Sequence, residues 1–274
     1  MHSKVLLPYL LILSLLFMGG CASTPDETEV VAAPETAAAK VRRLRVEITA
    51  DPNNAELSYQ LGNALYDIGN YGEAAFSFEQ ALAQDPKMAK GWTNLGLTLR
   101  KLGKLKASIG AYETALDLMP EDKTTLHNLW AVAELLGDWE RVIWCAKQLV
   151  DLDPDSTDAL AELGRLYMTQ GQYDLAARQY ERLILRDPTM AADYYNLGLC
   201  NYELARWEAT EAAWAKAVEL VPDHLSANKG LAVLYWELEN YDQAWAWVQR
   251  CQQFGISLDP AFIATLENDS TTGP

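Results

Sequence analysis

Histidine is nearly missing from this 274-residue chain: three copies occur, and His2 stands among the first residues. His127 and His224 are far apart, and there is no HExxH, no GxSxG and no glycine-rich phosphate loop after a strand. An enzyme needs a nucleophile, a base or a metal, and the candidates for these are thin here. Cysteine is also scarce. Cys21, Cys145, Cys200 and Cys251 share neither a CxxC nor a matching interval, which argues against a structural disulfide or a metal site. Cys200 and Cys251 fall on apolar helix faces and read as small buried hydrophobes. Basic residues number 22 against 38 acidic ones, a formal charge of −16 that disfavours nucleic acid and anionic lipid surfaces. No apolar run reaches the roughly 20 residues that a membrane-spanning helix needs. The longest is Val5–Phe17, 13 residues.

What is present is periodic. Ala89–Asp122 contains Trp92, Leu95-Gly96, Tyr112 and Pro120, with two helically spaced apolar runs, Trp92–Leu102 and Leu105–Leu118, meeting at Gly103. A shift of 34 residues, starting at 55, 89, 123, 157, 191 and 225, brings Leu61-Gly62, Leu95-Gly96, Leu129-Trp130, Leu163-Gly164, Leu197-Gly198 and Leu231-Ala232 into register. Pro86, Pro120, Pro154, Pro188 and Pro222 keep the same interval. Gly69, Gly103, Gly137 and Gly171 stand between the two runs, where a left-handed helix end favours glycine; Ala205 and Glu239 replace it in the last two units. This unit resembles the tetratricopeptide repeat (TPR), with its W-x2-L-G-x2-Y, A-x3-F and closing P. The resemblance implies an all-α, right-handed solenoid of six helix pairs with N- and C-terminal capping helices.

The chain is organised around that array. Residues 1–20, with Lys4, the apolar Val5–Phe17 and Met18-Gly19-Gly20 before Cys21, resemble a bacterial lipoprotein signal peptide, which implies lipidation of Cys21. An ordinary cleaved signal or an uncleaved anchor would also export the chain. Ala22 and Ser23 carry no inner-membrane retention signal, so the resemblance points to the outer membrane, facing the periplasm. Loss of Lys4 leaves 21 basic residues against 38 acidic and a charge of −17. Residues 21–36 read as the lipidated cysteine and a flexible tether. In 37–54, Val41, Leu44 and Ile48 are helically spaced and predict an N-terminal cap, whose basic face (Lys40, Arg42, Arg43, Arg45) is a solvated surface or a lipid contact. The repeats occupy 55–258 (55–88, 89–122, 123–156, 157–190, 191–224, 225–258). A C-terminal capping helix over 259–268 starts at Asp259-Pro260, and 269–274 reads as a disordered tail.

For function, the resemblance implies protein binding without catalysis or cofactor. In the family, ligand contacts come from the first helix of each pair, on the concave face. Carried over, the contact positions are Tyr59, Asn63 and Tyr66, then Lys90, Asn94, Arg100 and Lys101, then His127 and Asn128. Repeat four adds Arg165 and Met168; the last two add Tyr195, Asn196, Tyr202 and Glu203, then Lys229, Trp236 and Glu237. Asn94, Asn128 and Asn196 share one repeat position and resemble the asparagine ladder of the eukaryotic O-linked N-acetylglucosamine transferases. A primary amide donates and accepts, so it can match a peptide unit irrespective of side chain. Glu162 and Gly230 break the ladder, and the same residues also fit an inert helix face. The two-carboxylate clamp of chaperone-binding TPRs is absent. Lys90, Arg100, Lys101 and Arg165 make a basic middle that would suit an acidic segment. Phe76, Trp144 and Trp247 stand on second helices, where the family is usually polar; they mark a protein contact or partial burial. Trp92, Trp139, Trp207 and Trp214 read as core.

The chain is similar to envelope TPR lipoproteins such as pilus-assembly lipoproteins, secretin pilots and cell-wall-enzyme adaptors. Two functions follow: an outer-membrane adaptor for an envelope assembly such as a pilus or secretion system, or a regulatory subunit of a peptidoglycan enzyme complex. Protein partners in the groove and lipid at Cys21 are expected; nucleic acid, metal and small-molecule substrate are not. One packing expectation stands apart. Position 8 of a repeat is glycine where position 24 is aromatic (Gly62/Phe78, Gly96/Tyr112, Gly164/Tyr180, Gly198/Trp214), and repeat three reverses this with Trp130 and Ala146. If the indole fills the space of the missing ring, Trp130→Gly costs on the order of 3–5 kcal/mol.

Overall fold

A computed structural model describes residues 35–272, and the expected signal peptide, Cys21 and all but the end of the expected tether lie outside them. Fourteen helices and no strand occur among the described residues. The first is α1, Ala37–Ala50. Six pairs follow at the 34-residue interval: α2 Ala55–Asp67 with α3 Tyr71–Gln84, α4 Ala89–Lys101 with α5 Leu105–Leu118, and α6 Lys123–Leu136 with α7 Trp139–Leu152. They continue with α8 Thr157–Thr169 and α9 Tyr173–Arg186, α10 Ala191–Glu203 and α11 Trp207–Leu220, α12 Leu225–Glu237 and α13 Tyr241–Gln253. The last is α14, Pro260–Thr272. The architecture is an all-α solenoid of tandem pairs. No described helix is long and apolar enough to cross a membrane.

Each boundary has a local cause. The first helix of a pair stops at a left-handed residue: Gly69, Gly103, Gly137 and Gly171 have φ of +67° to +78°. The next amide then bonds back across the turn, as in Asn70 N to Leu65 O and Lys104 N to Leu99 O, both 2.9 Å. That six-to-one bond satisfies a carbonyl the helix end would otherwise leave open. Ala205 (φ +53°) and Glu239 (φ +57°) hold the same conformation without being glycine. Their side chains crowd the backbone there, so the repeat geometry imposes the turn at a local cost. The second helix stops before each closing proline. Asp85, Asp153 and Asp187 sit in extended or near-extended backbone because proline clashes with a helical predecessor.

Within a pair the helices are locked by size. Adding a Cβ to Gly62 would place it 2.6 Å from the Phe78 ring, and at Gly96 2.6 Å from Tyr112. At Gly164 it would lie 2.9 Å from Tyr180, and at Gly198 2.3 Å from Trp214. Only a hydrogen fits, and the rings themselves are buried. Repeat three departs from the expectation. Ala146 is fully buried, but Trp130 is only half-buried: its indole Nε1 donates to Glu134 Oε1 at 2.7 Å and its ring stacks with His127. The indole therefore covers the edge of the core rather than occupying its centre, because its N–H keeps it beside a solvated carboxylate. α6 is also a residue longer than the other first helices.

The ends are closed by the single helices. Val41 and Leu44 of α1 are buried in the cluster containing Phe78 and Leu65, and Leu266 of α14 is buried with Ala232, Ala244 and Val248. α14 also corrects the expected disorder over 269–272, residues 273 and 274 lying outside the described ones: it runs to Thr272, since Asp269 Oδ2 accepts from the Trp236 indole at 2.9 Å and Ser270 and Thr271 hydroxyls bond back along the helix. A second correction concerns Trp139, read as core but 46 % exposed, with the Arg165 guanidinium over its ring at 5.7 Å. Cys145, Cys200 and Cys251 are all buried and free. Burial pushes the Cys145 and Cys200 thiols up to about 12, so neither is a ready nucleophile.

Candidate functional site

The first helices of successive pairs meet side chain to side chain, and this A-face carries the residues singled out from the sequence. Its amino-terminal end is tied up internally. Asn94 Nδ2 donates to Asn63 Oδ1 at 2.7 Å and to Tyr59 OH at 3.1 Å, one repeat earlier. Lys90 Nζ lies 2.9 Å from Glu56 Oε2 and 4.5 Å above the Tyr59 ring. The Glu56 carboxyl is lowered in pKa chiefly by that hydrogen bond, and Lys90 is raised by it. Tyr59, Asn63, Lys90 and Asn94 thus form one polar knot between repeats one and two, in which Asn94 Oδ1 has no hydrogen-bond partner among the described residues. Tyr66 packs edge-on against Tyr71.

The middle is less basic than its sequence. Arg165 bonds Glu162 on its own helix, which raises the guanidinium pKa, so two of the four expected cations carry a compensating carboxylate. Arg100 and Lys101 make no ion pair among the described residues. Asn128 and Asn196 are half-buried, and their amides make no side-chain hydrogen bond among the described residues. The asparagines are therefore not a continuous ladder. One is bonded to the preceding repeat and two keep donor and acceptor available.

The carboxy-terminal end is aromatic. Tyr195 and Tyr202 both lie over the Trp214 ring, with centroids at 6.3 and 5.6 Å, and Tyr195 also meets His224 at 5.3 Å. Trp214 Nε1 donates to the Tyr195 carbonyl at 3.0 Å, which fixes the indole between α10 and α12. Tyr202 OH donates to Glu237 Oε1 at 2.5 Å; burial, then that carboxylate, raises the phenol pKa. Together Tyr195, Leu199, Tyr202, Trp214, Lys229 and Val233 line a cleft of about 340 Å³. Lys229 makes no ion pair among the described residues. Gly230, the break in the asparagine series, belongs to the same arrangement: a Cβ there would lie 2.8 Å from Trp214 Cζ3. The ring that fills the space over Gly198 is long enough to reach the next repeat and removes the side chain there.

The structure brings Tyr59, Asn63, Lys90 and Asn94 together at one end and Tyr195 and Tyr202 at the other. Trp236 is separated from both. It bonds Asp269 and packs edge-on against Phe262, so α14 takes the face that a ligand would use. Trp214, read as core, and Lys229 with Gly230 complete the aromatic cleft. The signal for it was a tryptophan at the ring position followed by glycine where other repeats carry asparagine. No group of three or more metal-binding side chains occurs among the described residues.

Two tetratricopeptide-repeat family models match the chain, one over residues 59–123 and again over 202–255, the other over 136–198. The chain belongs to the tetratricopeptide repeat family. Among solved structures it is similar to YrrB, described as a TPR protein with an unusual peptide-binding site, at 21 % identity and a TM-score of 0.54, covering 68 % of this chain and 96 % of YrrB. The carboxy-terminal part of a TPR protein from Cytophaga hutchinsonii aligns at 14 % identity and a TM-score of 0.58, covering 83 % of this chain and 94 % of that one. MamA from Desulfovibrio magneticus aligns at 22 % identity and a TM-score of 0.50, covering 62 % and 97 %. At these identities the likeness is one of fold. TPR proteins are in general interaction scaffolds, and the fold of this chain suggests protein partners.

Proposed function

We propose that this TPR protein is a non-enzymatic adaptor, held by a lipid on Cys21 at the periplasmic face of the outer membrane. Its A-face takes an extended segment of a partner protein during assembly of an envelope complex such as a pilus or secretion machine. The observation that carries the reading is the open aromatic cleft of Tyr195, Tyr202 and Trp214 with Lys229 at its wall, followed on α10 by Asn196, whose amide makes no side-chain hydrogen bond among the described residues. Rigid aromatics give contact area at low entropy cost, an amide matches a peptide unit, and an unpaired lysine favours an acidic residue of the segment. The peptide-binding site named for YrrB supports the same use of the fold. The polar knot of repeats one and two plays a smaller part, since the Asn94 amide hydrogens and the Lys90 ammonium are already engaged within it.

The test places a photo-crosslinking amino acid at Asn196 in the membrane-bound protein. Adducts should map to an extended partner segment, and Asn128→Ala/Asn196→Ala/Lys229→Glu should abolish capture at an unchanged thermal midpoint. Capture that survives those changes but is lost on Phe76→Ser/Trp144→Ser would reject the A-face. Cys21→Ser should move an exported chain into the soluble fraction; retention on the membrane after salt washing would reject the lipid anchor.

A further inference from the structure

The opposite face, built from the second helices, carries two matching clefts that the A-face reading leaves unused. One, of about 340 Å³, is lined by Arg45, Ile48, Leu61, Glu73, Phe76 and Gln80. The other, of about 630 Å³, includes Glu113, Leu116, Leu129, Arg141, Trp144 and Gln148. A shift of two 34-residue periods carries each residue of the first set onto its counterpart in the second. The apolar members keep their character and these charges change sign: Arg45 pairs with Glu73, whereas Glu113 pairs with Arg141 at 3.0 Å; Arg141 also holds Asp138, and Asp117, Asp138 and Glu140 add acids to the second cleft that the first lacks. Phe76 is 62 % exposed and Trp144 45 %, and each opens onto its cleft. Midway between them, on α5, the equivalent residue is Gly110, with Ala107 and Thr114 a turn to either side. A Cβ on Gly110 would meet nothing within 4 Å, so no contact inside the chain requires glycine at this exposed helix interior, where it is costly against alanine.

We propose that α3, α5 and α7 form a two-fold interface between two copies of this chain, with the axis along α5 beside Gly110. Such an axis exchanges α3 with α7. Phe76 of one copy then faces Trp144 of the other, Glu73 faces Arg141, Glu79 faces Lys147 and Gln80 faces Gln148. In an isologous contact each pairing occurs twice, so the exchange of charge between the two clefts becomes complementarity. Gly110 meets Gly110, and the small residues of α5 let the two helices approach until the flanking aromatics touch. Glu113, near the axis, retains Arg141 of its own chain. On a chain of charge −16, most face-to-face contacts between copies would set acid against acid. On this face Glu73 meets Arg141 and Glu79 meets Lys147 in both directions, which favours a second copy over a merely basic partner. The proposal does not depend on the A-face reading.

The test uses the full chain in its membrane. Gly110→Cys should form a disulfide-linked homodimer on mild oxidation, because the two residues meet at the axis. Gly72→Cys, equally exposed and open on α3, should not, since its twin lies across the interface. The native Cys145, Cys200 and Cys251 are buried and should stay silent. Adding Phe76→Ser/Trp144→Ser to Gly110→Cys should lower the dimer yield at least about tenfold, the usual weight of paired aromatic anchors. Equal crosslinking at Gly72 and Gly110, a Gly110 disulfide to some other protein, or a yield untouched by the serine changes would each overturn it.

Discussion

Repeat two and repeat three are built to one length and one turn, yet they close their cores differently. In repeat two, Gly96 leaves room and the fully buried Tyr112 ring fills it. In repeat three the large residue is on the other helix, and Trp130 keeps one edge in solvent against Glu134 and His127. The ring at position 24 of the second helix points into the pair and is enclosed, as with Tyr112, whereas the Trp130 ring at position 8 of the first helix is only half-buried. A bulky residue at position 8 gives up enclosure for surface, and it changes what the A-face presents.

The largest effect should come from breaking the enclosed arrangement. Tyr112→Ala should lower stability by about 3–5 kcal/mol, read by denaturant unfolding, as for other fully buried aromatics. Tyr112→Phe should instead be neutral or slightly stabilising, since the buried Tyr112 hydroxyl has no hydrogen-bond partner among the described residues while Ser108 gives its proton to the Gly96 carbonyl at 2.7 Å. Phe78 already fills the equivalent place in repeat one. A loss from Tyr112→Phe close to that from Tyr112→Ala would show the hydroxyl to be bonded.

Next in size is overfilling. Gly198→Ala sets a methyl 2.3 Å from Trp214 and should cost about 1–3 kcal/mol, with a thermal midpoint that falls while secondary structure is kept. The same change at Gly110, where the surroundings are open, should not destabilise the isolated chain. Equal losses at the two glycines would dismiss the steric account.

Trp130→Gly should cost less than Tyr112→Ala, about 1–3 kcal/mol, because only part of its surface leaves water on folding. A loss as large as that of Tyr112→Ala would restore the enclosed reading of repeat three. Adding Ala146→Tyr should recover part of the loss, as it recreates the pairing of the other repeats; strict additivity in a double-mutant cycle would refute the coupling.

The smallest expected effect sharpens the comparison at the turns. Ala205→Gly and Glu239→Gly should each stabilise by about 0.5–1 kcal/mol, relief of left-handed strain being offset by the greater freedom of glycine in the unfolded chain. Gly103→Ala should destabilise by a similar amount, and a gain there would contradict the positive φ of +72°.

Much of this was legible because its causes are local and recur. The 34-residue interval, the glycines that end first helices, the prolines that stop second helices and the small-to-large exchange of Gly96 with Tyr112 are properties of one unit read repeatedly. The candidate site was legible only as a face. Periodicity places Asn94, Lys90, Tyr202 and Trp236 on first helices, and their positions within the repeat say no more than that.

The sequence by itself determined the solenoid, since each repeat carries its own turn, stop and core complement, and stacking is the way such units bury their apolar faces. Only the tertiary structure decided which face residues remain free to bind. Asn94 reaches Asn63, Tyr202 reaches Glu237, and Trp236 reaches Asp269, all across a boundary between neighbouring units. Such contacts depend on the rotation of one repeat against the next and on the length of each side chain. Neither quantity is written in the period.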